Sequence, residues 1–150
     1  MDVALREAGV PDLDAIMAIE SVVFANDAWS VEAMRSELGS SHTYYLVAES
    51  AGEVVGYSGL LAPHRSSQAD IQTIAVAAKA RRAGLGRALM AAMIAEAAAR
   101  GAREMFLEVR ADNPHAQALY EQLDFEQIAV RVGYYQPDNI DANVMKLVLA

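Results

Sequence analysis

The segment RRAGLGRA, residues 81–88, has the residue types needed to bind an anion. It leads into the apolar run LMAAMIAEAAA, which predicts a helix beginning near Gly84. The first N–H groups of a helix lack partners within it, and the helix dipole makes that end electropositive. Gly84 and Gly86 remove side chains that would block close approach, and three arginines add charge. We therefore predict a pyrophosphate site, with an ordinary strand-to-helix turn carrying solvated arginines as the alternative.

The same segment argues against two common nucleotide-binding motifs. A P-loop needs GxxxxGK followed by Ser or Thr, and the lysine and the hydroxyl are both missing. A GxGxxG fingerprint is incomplete because Leu89 occupies its last glycine position. The segment also lies in mid-chain instead of following the first strand of a doubly wound sheet. ATP and NAD are therefore poor candidates for the ligand.

Glu108 and Tyr120 are candidates for proton transfer. Glu108 interrupts the strand-like run MFLEV, where a carboxylate is costly to bury unless it is paired or faces a cleft. Tyr120 follows Asn113 by seven residues, about two helical turns, so both can face the same side of one helix. The alternatives are structural: Glu108 could form an ion pair with a nearby arginine such as Arg110, and Tyr120 could be a core residue.

Strand and helix patterns alternate along the chain and position these residues. Strands are predicted at residues 2–7, 43–50, 53–62, 70–76, 103–109, 125–130 and 143–149, and helices at 11–24, after an N-cap at Ser30, from about Gly84 to Arg100 with Gly101 as terminator, and from an N-cap at Asn113 to about Gln122. The unit over residues 70–109 predicts a right-handed crossover between parallel strands. Ala51–Gly52 predicts a hairpin turn. The sheet of this α/β protein should therefore be mixed.

Composition limits the classes of function. The net charge of −8 over 150 residues disfavours direct binding to nucleic acid and favours a basic partner. The absence of cysteine excludes disulfides and thiolate metal sites, and the three histidines lack ligand spacing, so we expect no metal. The longest apolar run, residues 88–95, is far shorter than the ~20 residues of a membrane span, and the acidic N-terminus carries no secretory signal. We expect one cytoplasmic domain over residues 1–150 that binds no membrane.

Four segments together resemble the GNAT superfamily of N-acyltransferases. RRAGLG matches the Q/R-x-x-G-x-G/A acyl-CoA turn of that superfamily, and the other three segments are LEVRADNPHAQALY at 107–120, AWS at 28–30 and RVGYYQP at 131–137. The resemblance extends over essentially the whole chain and implies an α/β (α+β) fold. Its mixed, mostly antiparallel sheet would have about seven strands, helices on both faces, and a central parallel strand pair opening around acyl-CoA.

The resemblance also implies roles for the matching residues, with acetyl-CoA as co-substrate. Backbone groups of Ile74, Ala75 and Val76 would bind the pantetheine arm. The pyrophosphate would be bound by Arg81, Arg82, Ala83, Gly84, Leu85, Gly86 and Arg87. Asn113 would contact the cofactor near its reactive end, Glu108 would accept a proton, and Tyr120 would donate one to the departing CoA thiolate. One departure from the family is Asp124, which replaces a turn glycine and can adopt the same left-handed conformation.

Within the superfamily the chain looks like the bacterial ribosomal-protein alanine N-acetyltransferases, which acetylate protein N-termini. An α-amine has a pKa near 7.7 to 8, against about 10.4 for lysine, so one moderate base suffices. Because no acyl-cysteine can form, direct attack in a ternary complex is favoured, with a serine relay as the alternative. Trp29, together with Tyr134 and Tyr135 in a polar loop, could wall a peptide groove, with ordinary packing equally open.

We therefore expect transfer of an acetyl group from acetyl-CoA to the N-terminal α-amine of a protein, such as a ribosomal protein. Two alternatives stay open: acetylation of a lysine or of a small amine, and a non-catalytic module that binds acyl-CoA. A monomer is expected because no coiled-coil seam is present, with a dimer as the alternative.

Overall fold

Seven strands and four helices alternate along the computed structural model, which describes residues 2–149. The strands are β1 (Ala4–Glu7), β2 (Thr43–Ser50), β3 (Glu53–Leu61), β4 (Gln68–Val76), β5 (Glu104–Arg110), β6 (Glu126–Tyr135) and β7 (Ile140–Val148). The helices are α1 (Leu13–Phe24), α2 (Val31–Leu38), α3 (Leu85–Ala99) and α4 (Pro114–Gln122), with 3-10 turns at Val10–Asp12, Ala25–Asp27 and Ala78–Ala80.

The strands form one mixed sheet in the order β1-β2-β3-β4-β5-β7-β6. Only β4 and β5 are parallel neighbours, and α3 makes the crossover between them. The other adjacent pairs are antiparallel. This confirms the predicted mixed, mostly antiparallel sheet of seven strands and the predicted parallel pair.

The two parallel strands separate soon after they meet. Their paired positions are Gln68 with Glu104, Ala69 with Met105, and Asp70 with Phe106. Beyond Asp70, β4 continues to pair with β3 and β5 continues to pair with β7. The β3–β4 register also shifts at Gly59, which leaves Gln72 as an extra residue in β4. Such a bulge bends a strand, and here it lies where β4 turns away from β5.

Helices cover both faces of the sheet, as the sequence predicts. On one face α3 buries Leu89, Met90 and Met93 against Met105 of β5 and Met145 of β7. On the other face, α1 and α2 pack with Tyr45 of β2 and Tyr57 of β3. The alternation of side chains along the central strands thus gives the sheet two apolar faces. Within residues 2–149, no helix is both long and apolar enough to cross a bilayer.

Local signals in the sequence place most element ends correctly. The Ser30 hydroxyl accepts from the Ala33 N–H, and the Asn113 side chain accepts from the Ala116 N–H, which confirms both N-caps. Gly101, with φ of 99°, follows α3 as predicted. The expected end of β6 near residue 130 is wrong, because the strand continues to Tyr135.

The extension of β6 also corrects the polar loop expected around Tyr134 and Tyr135. Both tyrosines lie in the strand, and Tyr135 pairs with Ile140 of β7. The register is irregular between Arg131 and Tyr135, and Gly133 has φ of 63°. The sequence hides this part of the strand because it contains a glycine and an arginine and belongs to an edge strand with little apolar burial.

Candidate active site

A cleft of about 1710 Å³ opens where β4 and β5 separate. Its walls come from α1 and the segment after it, β4, the start of α3, β5, α4 and β6. All the residues predicted for the site line this cleft except Ala83: Trp29, Ile74, Ala75, Val76, Arg81, Arg82, Gly84, Leu85, Gly86, Arg87, Glu108, Asn113, Tyr120, Tyr134 and Tyr135. The sheet therefore brings together residues from five separate parts of the sequence.

The turn at residues 81–88 presents the N-terminus of α3 to the cleft. Gly84 is the N-cap with φ of 75° and no side-chain cap, so the first N–H groups of α3 are open to a ligand. Space does not require the glycine, since a Cβ there would meet nothing within 4 Å. The left-handed φ at this position does require a glycine, because residues with an L side chain disfavour that conformation. The prediction of a helix N-terminus at this turn is confirmed.

The arginines of the turn differ in their partners. Arg81 donates from Nε to the Val76 carbonyl at 3.2 Å, and Arg87 donates to the Gln122 side chain. Arg82 has φ of 67°, an uncommon conformation for a residue with a side chain. Within residues 2–149 its guanidinium makes no hydrogen bond or ion pair, so it is available to an anion.

Glu108 of β5 lines the cleft, beside a cation that the sequence did not indicate. Its Oε1 is 3.4 Å from Nε of Arg131 on β6, and its side chain is 31% exposed. The alternative of an ion pair between Glu108 and an arginine is therefore present, but the arginine is Arg131 and not Arg110. The Arg110 guanidinium binds three aspartates, Asp27, Asp112 and Asp138. The sequence could not indicate Arg131, because β7 lies between β5 and β6 in the sheet.

Asp70 is a second carboxylate near Glu108 that the sequence analysis missed. Asp70 is the last residue of β4 that pairs with β5, where it lies opposite Phe106. Its partial burial raises its pKa. The negative charge of Glu108 raises the pKa further. Asp70 and Gln72 are polar residues at alternate positions of a central strand, and buried strands are usually apolar. This pattern was the signal in the sequence that could have identified Asp70.

Tyr120 is at once a core residue and a cleft residue. Its ring packs edge-on to Phe125, with centroids 6.1 Å apart, and 8% of the residue is exposed. Burial raises the pKa of its phenol to about 12, so the hydroxyl stays protonated at neutral pH. The two alternatives for Tyr120 are therefore compatible. The nearby turn holds Asp124 at φ of 74°, which confirms the expected left-handed residue.

Trp29 is held beside the cleft by a buried carboxylate that the sequence analysis also missed. Its backbone N–H donates to Glu20 Oε2 at 3.0 Å, and the Thr73 hydroxyl donates to Oε1 at 2.8 Å. The Tyr57 hydroxyl also donates to this carboxylate. Only 1% of Glu20 is exposed. Glu20 lies one helical turn after Ile16, on the apolar face of α1, and this position was the signal in the sequence that could have identified it.

Tyr134 and Tyr135 of β6 also line the cleft. Their rings pack edge to face with centroids 5.1 Å apart. The Arg131 guanidinium lies 5.7 Å from the Tyr134 ring centroid. Burial, followed by the charge of Glu108, raises the pKa of Tyr135 to about 12. The expected aromatic wall is thus present as a cluster in a strand, and its role in binding a peptide stays a prediction.

The forked sheet, the uncapped start of α3 and the cleft between them are those of an N-acyltransferase. Residues 13–125 match the family model described as Acetyltransferase (GNAT) family. The chain belongs to this family, as the resemblance implied.

The chain is similar to three known proteins along most of its length. The N-alpha-acetyltransferase RimI of Mycobacterium tuberculosis is 33% identical, over 90% of this chain and 85% of the relative. The crystal structure of the ribosomal-protein-S18-alanine N-acetyltransferase from Escherichia coli superposes with a TM-score of 0.89 at 30% identity, over 99% of this chain and 95% of that chain. An uncharacterized Mycobacterium leprae protein is 36% identical over 90% of this chain, which spans only 38% of that relative.

Proposed function

We propose that this protein transfers an acetyl group from acetyl-CoA to the N-terminal α-amine of a protein, of the ribosomal-protein alanine type. The observation that carries the proposal is the single cleft in which the start of α3, Glu108 and Tyr120 meet. The names of the relatives from Mycobacterium tuberculosis and Escherichia coli support the choice of an α-amine.

The residues present fit acetyl-CoA at one end of the cleft. Arg82 and the open N–H groups of α3 suit a pyrophosphate. The edge of β4 that faces β5 has no strand partner from Ile71 to Val76, because β5 has diverged. Backbone groups along this edge are therefore free to bind a pantetheine arm as an added strand would.

Two side chains fit the proton transfers of an acyl transfer. Bound acetyl-CoA would supply a thioester whose carbonyl carbon the amine attacks, with cleavage of the C–S bond. Glu108 accepts the proton that the amine loses, directly or through a water. The Tyr120 hydroxyl donates a proton to the departing sulfur, because its raised pKa of about 12 keeps it protonated. The chain has no cysteine that could carry the acetyl group, which favours direct attack by the amine over transfer through a thiol.

The other end of the cleft suits a protein N-terminus. Trp29, Tyr134 and Tyr135 offer apolar surface to the first residues of a peptide. Asp70 and Glu108 add negative charge near the point of transfer, which favours the approach of an ammonium group. Glu108 then needs to remove one proton from a group with a pKa near 8.

A peptide panel analysed by mass spectrometry tests the proposal. The panel varies the first two residues and includes the N-terminal peptide of a small-subunit ribosomal protein, which contains lysine. The matched control is the same peptide with its α-amine formylated. We expect one acetyl group on the free α-amine and none on the formylated control. Acetylation confined to lysine, or acetyl-CoA binding by calorimetry without transfer to any peptide, would contradict the proposal.

A further inference from the structure

Arg110 connects three separate segments of the chain at the acceptor side of the cleft. It is the last residue of β5, and its Nη1 donates to Asp27 Oδ2 at 2.6 Å. Its Nη2 donates to Asp138 Oδ2 at 3.3 Å. Both Nε and Nη2 donate to Asp112 at 3.0 Å. Asp27 follows α1, Asp112 follows β5, and Asp138 lies between β6 and β7.

The contacts of Arg110 have the geometry and the burial of ion pairs that stabilise a structure. The Arg110 side chain is 25% exposed and the Asp27 side chain 13%, so solvent screens this pair less than a surface pair. The fork of the guanidinium binds Asp112 through two nitrogens, and its Cζ lies 5.3 Å from the Tyr135 ring centroid. A lysine has a single ammonium and could not bind all these partners at once.

The segment that holds Asp27 contains a residue in an unfavourable conformation. Ala25, at the start of this turn, has φ of 47°. Left-handed backbone at a residue such as alanine is costly and persists where surrounding contacts enforce it. Those contacts are the Arg110–Asp27 pair and the hydrogen bond from the Trp29 N–H to Glu20.

We propose that Arg110 is a positioning residue that holds the two walls of the acceptor groove, residues 25–29 and 134–138, at a fixed separation. The inference rests on the proposed function, because it assigns the groove to the amine acceptor. None of the Arg110 contacts reaches the turn at residues 81–88. Arg110 therefore governs acceptor affinity and leaves acetyl-CoA affinity unchanged.

Steady-state kinetics of Arg110→Gln, Arg110→Lys and Asp27→Asn test whether Arg110 governs acceptor affinity and leaves acetyl-CoA affinity unchanged. We expect the KM for the acceptor peptide to rise about tenfold in each variant, equivalent to about 1.4 kcal/mol, while the KM for acetyl-CoA stays within about twofold. Asp112→Asn is the matched control: it removes a partner of Arg110 that joins no distant segment, so acceptor KM should stay within about twofold. An unchanged acceptor KM in Arg110→Gln and Asp27→Asn, or an equal rise in both KM values, would overturn the proposal.

The fluorescence of Trp29 gives a readout that needs no turnover. It is the one tryptophan of the sequence and ends the segment that Asp27 anchors. In the ligand-free protein, acrylamide should quench Trp29 about twofold more efficiently in Arg110→Gln and Asp27→Asn than in the wild type and Asp112→Asn, because the segment opens more often. Equal quenching in all four proteins would overturn the proposal.

The two readouts separate this inference from the proposed function. If the wild type acetylates no protein N-terminus, the proposed function fails, and the quenching comparison still decides whether Arg110 fixes the segment. If Arg110→Gln does not fold, Asp27→Asn still removes the negative charge from the 2.6 Å ion pair and carries the test by itself.

Discussion

Glu108 and Tyr120, the two groups proposed for proton transfer, occupy contrasting environments. Glu108 is partly exposed and lies beside the cation Arg131. Tyr120 is buried against Phe125, and burial keeps its phenol neutral. The proposed reaction needs one group that accepts a proton and one that donates a proton, and the same cleft contains this carboxylate and this phenol.

Removing either group should slow the chemical step. In Glu108→Gln and Tyr120→Phe we expect kcat to fall by about 10² to 10⁴, the usual contribution of a positioned acid or base. Tyr120→Phe retains the ring that packs on Phe125, so the loss should concern catalysis and not folding. Calorimetry should show unchanged binding of acetyl-CoA in both variants. Unchanged turnover in both, with cofactor still bound, would show that other residues carry the protons.

Asp70 should make stability depend on pH in a direction set by its raised pKa. Burial first, and then the charge of Glu108, favours its protonated form in the folded protein. Stability from this group is complete below the ordinary pKa of about 3.9 and is lost as pH rises through the higher folded-state pKa. At pH 7 the charged carboxylate therefore destabilises the fold, and Asp70→Asn should raise the free energy of unfolding by less than about 1 kcal/mol because the group is half exposed.

Urea denaturation near neutral pH and near pH 4 measures this difference for Asp70→Asn. The gain should shrink toward the lower pH, where a larger share of the wild-type carboxyl is protonated in the folded state. Glu121→Gln on the exposed surface of α4 is the control and should show no comparable gain at neutral pH. A loss of stability in Asp70→Asn at neutral pH would mean that the carboxylate is stabilised in the fold.

At the scale of elements, the sequence predicts the features that depend on neighbouring residues. It does not predict the contacts that depend on the topology of the sheet. The turn before α3, the caps at Ser30 and Asn113, and the β2–β3 hairpin each follow from a few adjacent residue types. The partners of Glu108 and Arg110 come from segments up to 83 residues away. Their placement follows from the strand order, in which β7 inserts between β5 and β6.

A substitution of Arg82 in the turn before α3 can separate an effect on stability from an effect on ligand binding. Arg82 has φ of 67°, which asparagine tolerates better than arginine. In Arg82→Asn we expect the melting temperature to stay the same or rise slightly, while the Kd for acetyl-CoA increases about tenfold, as for the loss of one charged hydrogen bond. Arg103 is an exposed arginine just before β5, and Arg103→Asn is the control for general charge and should bind normally. A lower melting temperature with normal binding would instead give Arg82 a structural role.

At the scale of the whole molecule, an acidic chain places a cluster of arginines at one end of the cleft. The net charge is −8, yet three arginines stand at the turn before α3. At the other end, the aspartates around Arg110 outnumber its single charge, and Asp70 and Glu108 face the cleft. The two ends therefore suit ligands of opposite charge, an anionic cofactor and a cationic acceptor.

This asymmetry predicts a salt dependence that belongs to the acceptor. With acetyl-CoA saturating, the KM for an N-terminal peptide with several Arg or Lys after the first residue should rise severalfold between about 30 and 300 mM salt, because screening weakens its attraction to the acidic chain. The same peptide with these residues replaced by Gln should show a higher KM at low salt and little dependence on salt. Initial rates measured over this range give both values. An identical salt dependence for the two peptides would mean that the net charge of −8 plays no part in acceptor binding.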